Sequence, residues 1–106
     1  ALLMKRFIEM LSNKEYQKHR EVSYYASKLC VTPKYLSEVC KKISGSTANF
    51  WIDHFTIVAI SRLLADKSLT LKEIAEQMNF SSLSFFSRYV QRLLKVSPSE
   101  YRGNNL

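Results

Sequence analysis

The sequence predicts an all-α fold of about seven helices, built as two similar halves joined by one long helix. Three observations lead there. Two Gly and two Pro among 106 residues are too few for a turn-rich β fold. Apolar residues recur with a helical period rather than alternating. The pattern of small, apolar and capping residues in the first half returns in the second, about fifty residues later.

Residues 2–18 place Leu3, Phe7, Met10 and Leu11 at helical spacing, which predicts a first helix with one apolar stripe. The polar run 13–21 reads as its frayed end and a loop. A short helix comes next over 22–29, with Tyr25, Ala26 and Leu29 inward, and a break at Cys30-Val31. Thr32-Pro33 is a strong helix start: Thr caps, and Pro at the first helical position loses no hydrogen bond. The helix it opens carries Leu36, Val39, Cys40 and Ile43 as a stripe and stops at Gly45.

Between Thr47 and Asp66 there is no Gly or Pro, and Phe50, Trp51, Phe55, Val58, Ile60, Leu63 and Leu64 fall on more than one side. This predicts a long helix contacted from two directions, spanning about 30 Å at 1.5 Å per residue. Thr70 and Glu73 form a capping box opening a short helix with Leu71, Ile74, Ala75 and Met78 inward. Asn79, which tolerates the left-handed conformation, ends it. Phe80 packs in the turn, Ser82 caps the next helix, and Phe86, Tyr89, Val90 and Leu93 form its inner stripe. Ser97-Pro98-Ser99-Glu100 is a second capping box, starting a last short helix through Tyr101. Trp51 and the tyrosines at helical spacing read as core, as does Cys40. Cys30 reads as more exposed, and His19 and His54 as solvated or capping.

Shifted onto itself, the chain pairs Ala26 with Ala75 and Val31 with Phe80. With one extra residue in the second turn, Thr32 pairs with Ser82, Leu36 with Phe86, Cys40 with Val90, Ile43 with Leu93, Thr47 with Ser97, and Trp51 with Tyr101. Two helix-turn-helix units are the economical reading, with boundaries at 1–46 and 67–106 and a linker helix over 47–66. The steric logic is that of a DNA-reading helix-turn-helix. Ala26 and Ala75 are small where two helices approach, and Val31, Leu36 and Val39 supply the apolar set behind Ala26. Two such helices on one face of B-DNA enter the groove about 34 Å apart, and the linker has the length to hold them there.

Charge agrees. The net charge is +7 and the pI is near 9.6, implying a polyanionic partner. Residues 1–47 hold nine Lys and Arg against four acids and 81–106 hold four against one, so the excess is segregated to the ends. Cys30 and Cys40, without CxxC or clustered His, imply neither metal site nor disulfide framework, and point to a reducing, cytoplasmic compartment. No run approaches transmembrane length and the start lacks a signal layout, so no membrane role is expected. No cofactor is implied, and no nucleophile–base pair, metal set or phosphate loop points to an enzyme. The chain begins with Ala and is expected to be a piece of a longer protein.

The stretch Ile74-Ala75, then Asn79 through Arg88, then Ser97-Pro98-Ser99-Glu100-Tyr101-Arg102, resembles the signature of the AraC/XylS family of bacterial transcription regulators. Thr32-Pro33, Leu36, Lys41-Lys42 through Gly45, and Arg62-Leu63-Leu64 resemble that family's first unit and linker. The resemblance covers nearly all of residues 22–102. It implies two recognition helices in successive major grooves of double-stranded DNA, and an effector-sensing or dimerisation domain in the part preceding this chain. By position, Lys34, Ser37 and Glu38 fall on the family's base-reading surface in the first unit, and Leu83, Ser84, Ser87 and Arg88 in the second. Lys41, Lys42, Ser81, Ser82, Gln91 and Arg92 suit phosphate contacts, which set register without reading sequence. Glu38 is expected to pair with Lys34 or Lys42 at helical spacing.

The chain departs from the family pattern at several places. Asn79 and Cys30 stand where Gly is usual, Leu83 where a polar residue is common, and Thr56 and Ile60 where Arg and Ala are frequent. Leu83 would then meet a thymine methyl or pack locally. The alternative reading is a helical protein-interaction module contacting RNA polymerase or a sensor partner. Salt separates the two, since DNA binding weakens steeply as counterions compete.

Overall fold

The computed structural model describes residues 2–104, and every regular element among them is helical. In chain order these are α1 (Leu2–Ser12), a single 3-10 turn (Glu15–Gln17), α2 (Val22–Lys28), α3 (Pro33–Ser44), α4 (Ala48–Ala65), α5 (Leu71–Gln77), α6 (Leu83–Leu94) and α7 (Pro98–Asn104). The chain divides within α4 into two compact units, Ala1–Phe55 and Thr56–Leu106.

In the first unit α3 packs against α1 and α2. The buried stripe of α1 is Met4, Phe7 and Leu11; Leu3 and Met10, expected to line it, are only half-buried beside it. Phe7 meets Tyr25 edge-on, with ring centroids 5.5 Å apart. The run 13–21 is not a frayed end. Its 3-10 turn buries Tyr16, and Arg20 Nη1 donates to the Tyr16 carbonyl at 3.0 Å. His19, expected to be solvated or capping, stacks on Tyr24 at 3.7 Å, and the Tyr24 hydroxyl donates to Glu15 Oε1 at 2.7 Å. The buried Tyr25 hydroxyl donates to the His19 carbonyl at 2.7 Å, and its burial pushes the phenol well above its ordinary pKa. A hydrogen bond donated by a phenol that stays protonated ties the loop to the core.

Two backbone motifs build each unit, and both occur twice. At the end of α2 the Val31 N–H bonds the Ala26 carbonyl at 2.9 Å and Cys30 N–H bonds Ser27 at 3.2 Å; at the end of α5 Phe80 bonds Ala75 at 2.9 Å and Asn79 bonds Glu76 at 3.0 Å. Each is a Schellman closure around a left-handed residue, and Cys30 and Asn79 both have φ 59. Thr32 Oγ1 then accepts from the Tyr35 N–H, and Ser82 Oγ from the Phe85 N–H, both at 3.1 Å. α3 and α6 are each twelve residues long, and each ends on a left-handed residue, Gly45 (φ 82) and Lys95 (φ 68), whose N–H reaches back four residues at 2.9 Å. Thr47 and Ser97 next accept from Phe50 and Glu100, both at 3.2 Å, opening α4 and α7.

α4 is buried at Ala48, Ile52, Thr56, Ile60 and Leu64, every fourth residue. Such a line drifts by about 40° per step around a helix of 3.6 residues per turn. No fixed face is therefore apolar, which is how the sequence looked apolar on several sides. Phe50 lies off this line and is 49% exposed; Ile43, in the last turn of α3, is 52% exposed, and Tyr35 53%. Ile43 and Phe50 were expected among the packed apolar residues. In the second unit the ring of Phe80 packs edge-on against Phe86 and Tyr89, at 5.4 and 5.3 Å, which fixes α6 against the turn. Arg102 Nε donates to the Leu64 carbonyl at 2.9 Å, so α7 supplies a side-chain cap to the end of α4.

Lys95 repeats the backbone of Gly45 with a side chain present, at a conformation that penalises a Cβ. Lys95→Gly should raise stability by about 0.5–1 kcal/mol in chemical denaturation. The second unit should also be acid-sensitive. The Thr70 N–H bonds Glu73 Oε1 at 2.8 Å and holds that carboxyl below its ordinary range, and the Ser68 hydroxyl does the same for Asp66. A carboxyl depressed in the folded state adds stability that is complete above its unfolded pKa and is lost as pH falls through the folded value. Stability measured from neutral to acid pH should therefore fall less steeply for Glu73→Gln than for the parent.

Candidate nucleic-acid interface

Each unit presents one helix whose inner line is buried and whose opposite side carries the sequence-predicted site residues. In α3, Leu36 and Cys40 are fully buried, while Lys34, Glu38, Lys41 and Lys42 are exposed and Ser37 is half-buried. These five, with Thr47, line a shallow open depression of about 460 Å³. The register is set by the cap: with Thr32 holding the first turn, Lys34, Glu38 and Lys41-Lys42 recur three and four residues apart down one side. Among the described residues no ion pair joins Glu38 to Lys34 or Lys42, contrary to the pairing expected from their spacing. The Lys34 ammonium and the Glu38 carboxylate are thus both open to an incoming ligand.

In α6, Phe86 and Val90 are fully buried, and Leu83, Ser84, Arg88, Gln91 and Arg92 are exposed. Ser87 is half-buried. Leu83, at the first helical position, is 44% exposed, so it does not pack into the core. Ser81 lies exposed in the turn, and the Ser82 oxygen accepts the Phe85 N–H, leaving its hydroxyl hydrogen to donate. Arg92 lies over the Tyr89 ring at 5.2 Å.

The two helices differ in what the same positions carry. Lys34 corresponds to Ser84, Ser37 to Ser87, Glu38 to Arg88, Lys41 to Gln91 and Lys42 to Arg92. The first helix offers point charges of both signs. The second offers a guanidinium fork among hydroxyls, suited to a planar pair of acceptors.

Two exposed residues escaped the sequence reading: Tyr35 and Phe85, at the third position of α3 and α6. The signal was present. Phe85 and Phe86 are adjacent and so about 100° apart on a helix. Once Ser82 is taken as the cap and Phe86 as core, Phe85 must look outward. Arg88 lies with its guanidinium carbon 4.9 Å from the centre of the Phe85 ring, a cation–π contact.

A family model described as a helix-turn-helix domain matches residues 25–104. The regulatory protein PocR of Salmonella typhimurium is 30% identical over 77 residues, an alignment covering 73% of this chain and 25% of that protein. The chain thus spans about a quarter of the length of that relative. The C-terminal domain of AraT, a response regulator from Geobacillus stearothermophilus, superposes with a TM-score of 0.86 at 24% identity, covering 98% of this chain and 86% of the other. The DNA-binding domain of AdpA, solved with a target DNA, superposes with a TM-score of 0.76 at 20% identity over 96% of this chain and 90% of the other. The match over residues 25–104 begins within α2 and runs through α3, α4, α5, α6 and α7, and the chain belongs to the AraC-type helix-turn-helix family.

Proposed function

We propose that this chain is the sequence-specific, double-stranded DNA-binding part of a bacterial transcription regulator, with α3 and α6 each entering a major groove. The observation that carries the reading is the twice-built unit. The same closure, cap and left-handed stop deliver a twelve-residue helix with a buried inner line and an open polar side in each half. A helix of that kind is what the major groove admits. The net charge of +7 supports it, as does the fold shared with a domain solved on DNA.

On this reading Lys34, Ser37, Glu38, Leu83, Ser84, Ser87 and Arg88 face base edges, and Lys41, Lys42, Ser81, Ser82, Gln91 and Arg92 face phosphates. The residues divide as domains at 1–46, 47–66 and 67–106, the middle segment setting the spacing of the two helices. The stretch that PocR shares with this chain is 25% of that protein's length, and this reading leaves effector sensing and dimerisation to sequence outside the shared stretch. Contacts with RNA polymerase would fall on surfaces outside the two helices.

Arg88→Ala should cost about 1–3 kcal/mol on the preferred site and flatten preference at one base pair; Lys41→Ala should weaken all duplexes alike and lower the salt slope by about one. Anisotropy titrations over a salt series measure both. Equal losses on preferred and random DNA for Arg88→Ala would remove its base-reading role. Selection of bound sites from random duplexes should return two short motifs about one helical turn apart. A binding constant insensitive to salt would favour a protein-interaction module instead.

A further inference from the structure

Phe85 is 56% exposed, more open than any other large apolar side chain described in the second unit, while its neighbour Phe86 is fully buried. Its place in α6 is the third helical position, where Glu73 and Glu100 complete capping boxes in α5 and α7. α6 forgoes that reciprocal bond, as do α3 and α4, which carry Tyr35 and Phe50 there. Among these three aromatic residues Phe85 alone has a described guanidinium over its ring, that of Arg88 at 4.9 Å. The pair stands on the open side of the helix, one turn apart.

We propose that Phe85 and Arg88 act together as a specificity element reading a guanine and the thymine adjacent to it, an inference that rests on the DNA-binding function proposed above. An arginine that bonds guanine N7 and O6 through its fork lies in the plane of that base. A ring held against the guanidinium then sits at the level of the next base pair, since successive pairs are stacked about 3.4 Å apart. At that level the major groove presents one apolar group, the C5-methyl of thymine. Phe85 therefore does two things: it holds the guanidinium over its face before DNA arrives, and it offers an apolar surface to the neighbouring methyl. The first unit has Tyr35 at the matching place but Glu38 where Arg88 stands, so it lacks the pair.

The test uses the full chain and duplexes carrying its selected site. The guanine read by Arg88 is located as the base pair whose preference Arg88→Ala flattens. Each neighbouring thymine is then replaced by deoxyuridine, which removes the methyl and nothing else. One replacement beside that guanine should weaken binding about three- to fivefold, the size of one methyl leaving an apolar contact. Phe85→Ala should weaken the thymine duplex by a similar factor and bind both duplexes equally, whereas Leu83→Ala should still distinguish them. Indifference of the parent chain to deoxyuridine beside that guanine would overturn the proposal. So would a discrimination that survives Phe85→Ala and disappears in Leu83→Ala. A chain that prefers no duplex over random DNA would defeat the proposed function itself, and this inference with it.

Discussion

The arrangement of each unit depends on one backbone closure: the N–H of Val31 on the Ala26 carbonyl, and of Phe80 on the Ala75 carbonyl, both at 2.9 Å. Such a bond requires a left-handed residue before it, here Cys30 and Asn79 at φ 59. It turns the chain sharply enough that the next helix starts within two or three residues. The alanines matter for the same reason. Each is nearly or fully buried and its carbonyl takes the closing bond, so a larger side chain would push apart two helices that a 2.9 Å bond holds together. Asn is among the residues that occupy this conformation with least cost, and Cys is not. The first turn therefore carries strain that its surroundings compensate.

Beyond the turn, side chains that accept backbone hydrogens direct the chain. Thr32 and Ser82 start α3 and α6, and Gly45 and Lys95 stop them, so both helices have the same length and the same register. Register decides which side chains stand open here. A shift of one residue would rotate the helix by about 100° and carry Arg88 from the open side toward the core. The extra residue in the second turn, Ser81, precedes the cap and leaves that register untouched.

Caps and closures were legible in the sequence because they are chemically local. Thr-Pro, the two Ser/Thr-x-x-Glu boxes, Gly45 and Asn79 each announce a helix end through a side chain or a backbone preference that acts within four residues. Burial was less legible, because it depends on what packs where. Tyr35, Ile43 and Phe50 are apolar residues at helical spacing, yet each is about half exposed, and periodicity has no means of separating a core position from an open one a turn away. The frayed end expected in the run 13–21 was wrong for a different reason. Its order comes from Tyr16, Tyr24 and Arg20 bonding across loop and helix, contacts that polarity alone conceals. Most candidate site residues lie on open helix sides, with Ser37 and Ser87 half-buried and Ser81 and Ser82 ahead of α6, but the cation–π contact between Phe85 and Arg88 was not foreseen, since it joins a residue taken as polar reader to one passed over.

The repetition of scaffold makes the difference in side chains the informative part. With backbone, caps and length held in common, α3 and α6 are a controlled comparison of two surfaces. α3 places Lys34 and Glu38 one turn apart, charges of opposite sign that a phosphate-lined groove would treat unequally, with Lys41 and Lys42 behind them. α6 places two forked donors on aromatic rings, Arg88 on Phe85 and Arg92 on Tyr89, with hydroxyls and Leu83 beside the first. A point charge satisfies many acceptors in many orientations; a guanidinium held in one plane satisfies few. On the proposed reading the two helices attract a duplex alike, each with a net charge of +2 (Lys34, Lys41 and Lys42 less Glu38; Arg88 and Arg92), and divide in what their donors can select. The arrangement has a physical logic: a regulator needs both a salt-sensitive grip on any duplex and a preference among duplexes, and two copies of one scaffold let one be adjusted without disturbing the other.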